Sequence, residues 1–224
     1  MATATATNIA HSGSQTTALI LAGGRGSRMG GVDKGLQLFN GTPLAVHTRQ
    51  RLQAQLGSAL ASIVVNANRN RDRYTQFGMT VWPDAVPDAF EGPLAGFLTG
   101  LQCCTTPYLL TVPCDTPLFP LDLVQRMHHA LHAAQADIAM ASAPEADEHG
   151  AAHVRPQPVF CLLRLATAVP LVASLDAFMQ SGRRKIDTWT AQHTTVQVPF
   201  NTPADDPRAF ANANTLTELL ALQG

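Results

Sequence analysis

Lys34 closes the stretch ALILAGGRGSRMGGVDKG, Ala18 to Gly35, in which an apolar run passes directly into a loop crowded with glycine and punctuated by cations. Gly23, Gly24, Gly26, Gly30 and Gly31 permit positive φ and close backbone approach, so successive amide N–H groups can converge on phosphate oxygens. Arg25, Arg28 and Lys34 add full positive charges. The chemistry implied is the cradling of a phosphate. A solvated surface loop would use the same residue types, but loops at the C-terminal ends of strands are where α/β sheets bind ligands. The second group with chemistry is Asp115, in TVPCDTP, where Pro113 and Pro117 stiffen the turn on either side. A carboxylate there can hold Mg²⁺ against phosphate oxygens, because magnesium sites around nucleotides use one or two carboxylates plus phosphates and water. An Asx-turn or a helix N-cap ahead of FPLDLV is the other reading of the same residue.

Two familiar glycine motifs fail. A Walker A loop needs GxxxxGK followed by Ser or Thr, whereas Lys34 sits between Asp33 and Gly35. A dinucleotide fingerprint needs GxGxxG, and Met29 stands in the third glycine position after Gly24 and Gly26. A standard Rossmann cofactor site is therefore disfavoured.

The elements that must position these groups are legible. Ala18 to Ala22 is an uninterrupted apolar run, as expected of a parallel strand covered on both faces. Pro43 opens a helical segment through Leu56, Ser62 to Asn66 is a second strand, and Met79 to Trp82 a third, ending at Pro83 and Asp84. A helix from about Pro93 leads to a strand at Tyr108 to Val112, and Leu121, Val124, Met127 and Leu131 mark an amphipathic helix after it. Asp137 to Ala141 supplies another strand, and Ala143 to His153, rich in Glu, Asp, Gly and Pro, reads as a long loop. PVFCLL, a helix from about Ala166 to Gln180, the strand TTVQV and a terminal helix TLTELLAL complete the chain. Alternating strands and helices predict a Rossmann-like three-layer α/β sandwich with a mostly parallel sheet, of nucleotidyltransferase type. Gly24, Arg28, Lys34, Asn66, Asp84 and Asp115 would then gather beyond the carboxyl ends of its strands.

The remaining features narrow the class. The chain has 224 residues, 46% of them hydrophobic, enough for one sizeable domain, and none of its composition suggests disorder beyond the ends. Residues 1–15 read as a disordered extension without a secretory signal, leaving 16–224 as a single domain. The net charge of -1 argues against coating a nucleic acid, and the apolar runs are too short to cross a membrane, so cytoplasmic residence follows by default. Cys103, Cys104, Cys114 and Cys161 lack zinc spacing and read as reduced packing residues. His128 and His132 form an i, i+4 pair, but no HExxH accompanies it. GPLAG, Gly92 to Gly96, would let a flat ring approach a helix start; plain capping explains it about as well.

Taken in order, LAGGRGSRMGGVDKG, VVNAN, GPLAG and PCDTP resemble the molybdenum cofactor guanylyltransferase family, strongly from residue 18 to about 118. Gly23 and Gly24, with the DKG ending, favour the guanylyl branch over cytidylyl- and sugar-phosphate nucleotidylyltransferases of the same fold. The resemblance implies transfer of GMP from GTP to molybdenum-molybdopterin, release of pyrophosphate, Mg²⁺ as the metal, and molybdoenzymes or cofactor-synthesis proteins as partners. It implies nucleotide contacts at Leu21, Ala22, Gly23, Gly24, Lys34, Asn66 and Asp84, with Asp115 binding nucleotide and metal; Arg28 and Lys34 would neutralise phosphate charge. FANANT, RPQPVF and SGRRK resemble the family more loosely and place Asn212, Asn214, Arg155, Gln157, Arg183 and Arg184 near the pterin. Capping of the last helix by Asn214 or Thr215, and solvation of Arg183 and Arg184, are competing readings. Leu216 stands where the family usually has proline, which leaves that helix cap less fixed. A non-catalytic GTP- or cofactor-binding chaperone module is the alternative of a different class.

Overall fold

The apolar run near the start becomes β1 (Thr16–Leu21), the strand around which the sheet is ordered; the computed structural model describes residues 15–22, 32–56, 62–86, 92–146, 152–167 and 169–223. Residues 1–14, where most of the predicted extension falls, lie outside that set, as do Gly23, Gly24 and Arg28. β1 pairs in parallel with β4 (Ser62–Asn66) on one side and β6 (Tyr108–Pro113) on the other, while β4 carries β5 (Thr80–Trp82) at the edge. Beyond β6 come β8 (Ala152–Arg164), β7 (Ile138–Ala146) and β9 (Thr195–Pro199), completing a seven-stranded sheet. Only β8 runs against the rest. The fold is thus an α/β sandwich with a mostly parallel sheet, and both halves of the chain contribute strands to it.

Side chains alternate across β1, so Ala18 and Ile20 face one layer and Leu19 the other. On the first face lie α1 (Leu44–Leu56), α2 (Arg71–Gln76) and α4 (Leu123–Ala133), through Leu52, Tyr74 and Met127. On the second lie α3 (Pro93–Cys103), α5 (Leu171–Gln180) and α6 (Ile186–Thr190), through Phe97, Leu175 and Trp189. A short hairpin, β2 (Leu38–Phe39) and β3 (Thr42–Pro43), turns at Asn40–Gly41 and packs beside α7 (Leu216–Ala221) through Phe39, Leu44 and Leu219. No helix of the described residues is long and apolar enough to cross a membrane.

Several expectations are corrected. Residues 143–153 are no plain loop: 143–146 extend β7 and 152–153 begin β8, pairing as an antiparallel arm with Ala143 opposite Arg155 and Glu145 opposite His153. Polar composition hides this pairing because, Ala143 apart, the arm from Pro144 to Glu145 and from His153 to Arg155 is exposed. The helix expected from about Ala166 starts at Leu171, immediately after Pro170, whose ring suits a helix entry. The terminal helix is firmly capped despite lacking proline: Thr215 Oγ1 accepts from the Glu218 amide at 3.1 Å, and Glu218 Oε2 accepts from the Thr215 amide at 3.1 Å. The short helices α2 and α6 and the β2–β3 hairpin were not expected.

Candidate active site

The C-terminal ends of β4, β1 and β6, with the N-terminal half of the antiparallel β8, open into one cleft of about 830 Å³, lined by residues from both halves of the chain. Lys34 stands in its wall, in a 3-10 turn (Lys34–Leu36) that follows the glycine loop. Its neighbours determine where it points. Asp33, 8% exposed, accepts from the Gly35 amide at 3.1 Å, from Asn70 Nδ2 at 3.0 Å and from the Tyr74 hydroxyl at 2.5 Å. Burial first, then the nearby Cys114 and Asp33, push the Tyr74 phenol well above its ordinary pKa, so it keeps the proton that it donates. A Cβ at Gly35 would stand 2.4 Å from the Tyr74 oxygen, which explains why glycine follows the lysine. The DKG triplet is therefore one buried anchor, one reaching cation and one close backbone contact.

The ammonium of Lys34 donates to Asp115 Oδ2 at 2.8 Å and to Asn214 Oδ1 at 2.9 Å. The pair is partly exposed, at 22% and 19%, within reach of a ligand in the cleft. Asp115 sits just past β6, and its loop is clamped from α1. His47 Nε2 lies 3.0 Å from the Pro117 carbonyl, Arg51 Nη2 donates to the Leu118 carbonyl at 3.0 Å, and Gln55 Nε2 to that of Pro120 at 3.1 Å. These residues recur every four positions and thus share one helix face. The C-terminal segment closes the same spot: the Ala213 amide donates to the Asp115 carbonyl at 2.8 Å, and Thr116 Oγ1 to Asn212 Oδ1 at 2.7 Å. Cys114 is buried beneath, its thiol pushed far up by burial and then by the charges of Asp115 and Asp33, which fits a packing role.

At the end of β4, buried Asn66 donates through Nδ2 to the Trp82 carbonyl at 2.9 Å and to Asp84 Oδ1 at 2.7 Å. Asp84 also accepts from Asn68 Nδ2 at 2.7 Å and from Thr99 Oγ1 at 3.2 Å. Asn66 lines the cleft; Asp84 does not. Gly96 faces the sheet, where a Cβ would meet Leu21 Cδ2 at 2.5 Å and Asn66 Oδ1 at 2.6 Å. Its smallness serves helix–sheet approach and leaves the Asn66 amide undisturbed, whereas Gly92 and Pro93 at the helix start do line the cleft.

The far side is built differently. Met140 pairs with Cys161 but Ser142 pairs with Pro156, so β8 carries a bulge that leaves Gln157, Pro158, Val159 and Phe160 turned out of register and lining the cleft. Pro156 and Pro158 have no N–H to offer the ladder. Thr111 Oγ1 fixes the bulge by donating to the Val159 carbonyl at 2.7 Å. Gln157 Nε2 donates to Glu145 Oε1 at 2.7 Å across the arm.

Of the residues predicted from sequence, Leu21, Ala22, Lys34, Asn66, Asp115, Gln157, Asn212 and Asn214 share this cleft. Asn214 accepts from Lys34, and Asn212 accepts from Thr116 next to Asp115. Arg155 is exposed on the arm and does not line the cleft. Arg183 and Arg184 fall outside it too: Arg183 lies over the Phe178 ring at 4.4 Å and donates to Ser181 Oγ, and Arg184 donates to the Met179 and Arg183 carbonyls. Those contacts belong to the end of α5. Reasoning from sequence missed Glu145, Tyr74 and Thr99, whose parts depend on partners distant along the chain; Asn68 was legible in VVNAN at the strand's end, but its contact with Asp84 was not.

Comparison with known proteins adds an independent view. Residues 18–196 match the family described as MobA-like NTP transferase domain. A molybdenum cofactor guanylyltransferase of Acidovorax sp. (strain JS42) is 63% identical over 93% of this chain and 95% of its own. One from Albidiferax ferrireducens is 61% identical over 92% and 95%. Among solved structures, molybdopterin-guanine dinucleotide biosynthesis protein A from Archaeoglobus fulgidus superposes with a TM-score of 0.68 at 17% identity, covering 92% of this chain and 96% of that one, a likeness of fold.

Proposed function

This chain belongs to the molybdenum cofactor guanylyltransferase family of nucleotidyltransferases, and from that premise we propose that its cleft transfers GMP from GTP to the phosphate of molybdenum-molybdopterin, forming the guanine dinucleotide and releasing pyrophosphate. The observation that carries the reading is the Lys34–Asp115–Asn214 cluster, partly exposed in a cleft that both halves of the chain line.

In this reading residues 16–224 act as one cytoplasmic unit whose first half holds the nucleotide and whose second half holds the acceptor. Leu21 and Ala22 offer backbone to the nucleotide, Gly23, Gly24 and Arg28 are assigned to the same nucleotide by the family resemblance, and Asn66, oriented by Asp84, contacts it at the end of β4. Asp84, behind Asn66 and outside the cleft lining, acts by fixing the Asn66 amide and not by touching the nucleotide. Lys34 neutralises phosphate charge as it builds on the leaving pyrophosphate. An acceptor phosphate oxygen attacks the α-phosphorus, the bond to the pyrophosphate oxygen breaks opposite to it, and no general base is needed because the acceptor is already an anion. Asn214 and Asp115 hold the lysine on the line of that displacement, which lowers the entropic cost of alignment.

The donors present suit a nucleotide-borne magnesium. Asp115 Oδ2 is engaged by Lys34 and no described residue donates to Oδ1, while the described residues hold no cluster of three or more metal-ligating side chains. One carboxylate completed by phosphates and water is how Mg²⁺ is commonly held. Asp115 would bind it, and the ion would supply charge stabilisation to the phosphates.

The test is incubation of the chain with molybdenum-molybdopterin, GTP and Mg²⁺, followed by mass analysis. The guanine dinucleotide is the expected product. Its absence with active cofactor overturns the reading, and GTP binding without pyrophosphate release would support a chaperone-like module instead.

A further inference from the structure

Glu145 lines the far end of the cleft, on the arm that the bulge in β8 turns toward it, and nothing in the transfer chemistry above uses it. Its Oε1 accepts from Gln157 Nε2 at 2.7 Å, and Gln157 is itself 7% exposed. A carboxylate offers about four acceptor sites, of which the described residues fill one. The Gln157 hydrogen bond thus holds Glu145 in place while its other lone pairs remain open to the cleft.

Position along the sheet decides which ligand these lone pairs meet. Asn66 ends β4, Leu21 ends β1, Asp115 follows β6, and Gln157 belongs to β8, in that spatial order. With neighbouring strands about 4.8 Å apart, Asn66 and the β8 bulge stand about 14 Å apart, with the reacting groups between them. A ring at the Glu145 end therefore belongs to the acceptor and not to the nucleotide. On the guanylyl-transfer reading, on which this inference rests, that ring is a pterin. Its 2-amino-4-oxopyrimidine edge presents two adjacent donors, the 2-amino group and N3–H, which suit one carboxylate accepting both.

We propose that Glu145, held by Gln157, reads the 2-amino and N3–H donors of the acceptor's pterin ring and is a specificity-determining residue for the acceptor. Lumazine, which carries oxygen in place of the 2-amino group, would turn a lone pair toward the carboxylate and leave it unpaired. A site built to hydrogen-bond a group discriminates strongly against an analogue lacking it.

Free pterin and lumazine are compared as competitors of molybdenum-molybdopterin in dinucleotide formation by the full chain with GTP and Mg²⁺. In the native chain pterin inhibits at a concentration at least about tenfold below lumazine, the scale of a hydrogen bond to a charged group. In Glu145→Gln that preference falls to within about twofold, acceptor KM rises about tenfold, and GTP KM stays within about twofold. Equal inhibition by the two compounds in the native chain, or a preference that survives in Glu145→Gln, overturns the proposal. So does a GTP KM that rises as far as the acceptor KM, which would move Glu145 to the guanine. If the native chain forms no dinucleotide, the transfer reading itself falls and carries this proposal with it.

Discussion

The two edges of the central sheet are both polar, and among the described residues only the C-terminal one opens into the cleft. At the C-terminal edge Lys34, Asp115, Asn66 and Asn214 surround an open cleft. At the N-terminal edge Thr16 and Tyr108, from β1 and β6, meet His128 and His132 of α4: His128 Nε2 lies 2.9 Å from Thr16 Oγ1, and His132 Nε2 lies 3.2 Å from the Tyr108 hydroxyl. The heart of the second cluster is packed shut, with His128 4% exposed and edge-on to Tyr108, while His132 stands at its exposed rim. Burial, and then the neighbouring His132, depress the pKa of His128 to about 4. Polar side chains at strand ends thus acquire chemical use when the fold leaves lone pairs facing solvent-accessible space; sealed, they serve packing.

The contrast can be broken most forcefully at Asp115. Asp115→Ala is expected to lower pyrophosphate release from GTP, acceptor and Mg²⁺ by about 100-fold or more while the thermal midpoint stays within a few degrees. Unchanged turnover would remove the C-terminal edge from the chemistry. Lys34→Ala should cost somewhat less, about 10- to 100-fold in kcat, and unaltered GTP kinetics would sink the phosphate assignment.

The sealed edge should answer in stability and not in turnover. Because the folded-state pKa of His128 lies below the unfolded value of 6.5, the unfolded chain binds more protons between the two. Stability is therefore fully present above pH 6.5 and is lost as pH falls toward 4, by up to about 3 kcal/mol for this residue. His47, His132 and His193, also held low chiefly by partial desolvation, act in the same direction. Urea midpoints at pH 7 and pH 5 would show the drop, and His128→Gln should flatten it; an equal slope in both chains would reject the assignment.

Two glycines of α3 sharpen the comparison within a single helix. A Cβ at Gly100 would meet Leu19 Cδ2 at 2.6 Å and Leu109 Cδ2 at 2.9 Å, both core atoms, whereas one at Gly96 would meet Leu21 and the Asn66 amide. Both alanine variants should lose about 1–3 kcal/mol in chemical denaturation. Only Gly96→Ala should also raise GTP KM, and a matching rise in Gly100→Ala would show that the effect is general loosening. The smallest change is expected at Thr215→Ala, where loss of the capping box costs about 1 kcal/mol by the same measurement and shifts turnover little.

Much of the architecture was readable because it rests on local patterning. Ala18 to Ala22 read as a covered strand, Pro93 marked a helix start, and Asn66, Asp84 and Asp115 each stood where an apolar run stops. The arm over 143–146 and 152–155 was unreadable because its strands expose polar side chains and carry no apolar alternation. Arg183 and Arg184 made a persuasive cluster in sequence, yet α5 carries them to the Phe178 ring and to local carbonyls.

What the sequence by itself determined was the order of strands and helices, the phosphate-loop chemistry of the first strand's end and the resemblance that those motifs carry. All of these depend on residues close together along the chain, where backbone propensity and side-chain period act directly. The tertiary structure alone decided that Asn214 meets Lys34 across 180 positions, that Tyr74 seats Asp33 across 41, and that Glu145 and Gln157 flank the far end of the cleft. Those contacts follow from strand order and from a bulge in β8, which bring segments far apart along the chain to one edge of the sheet.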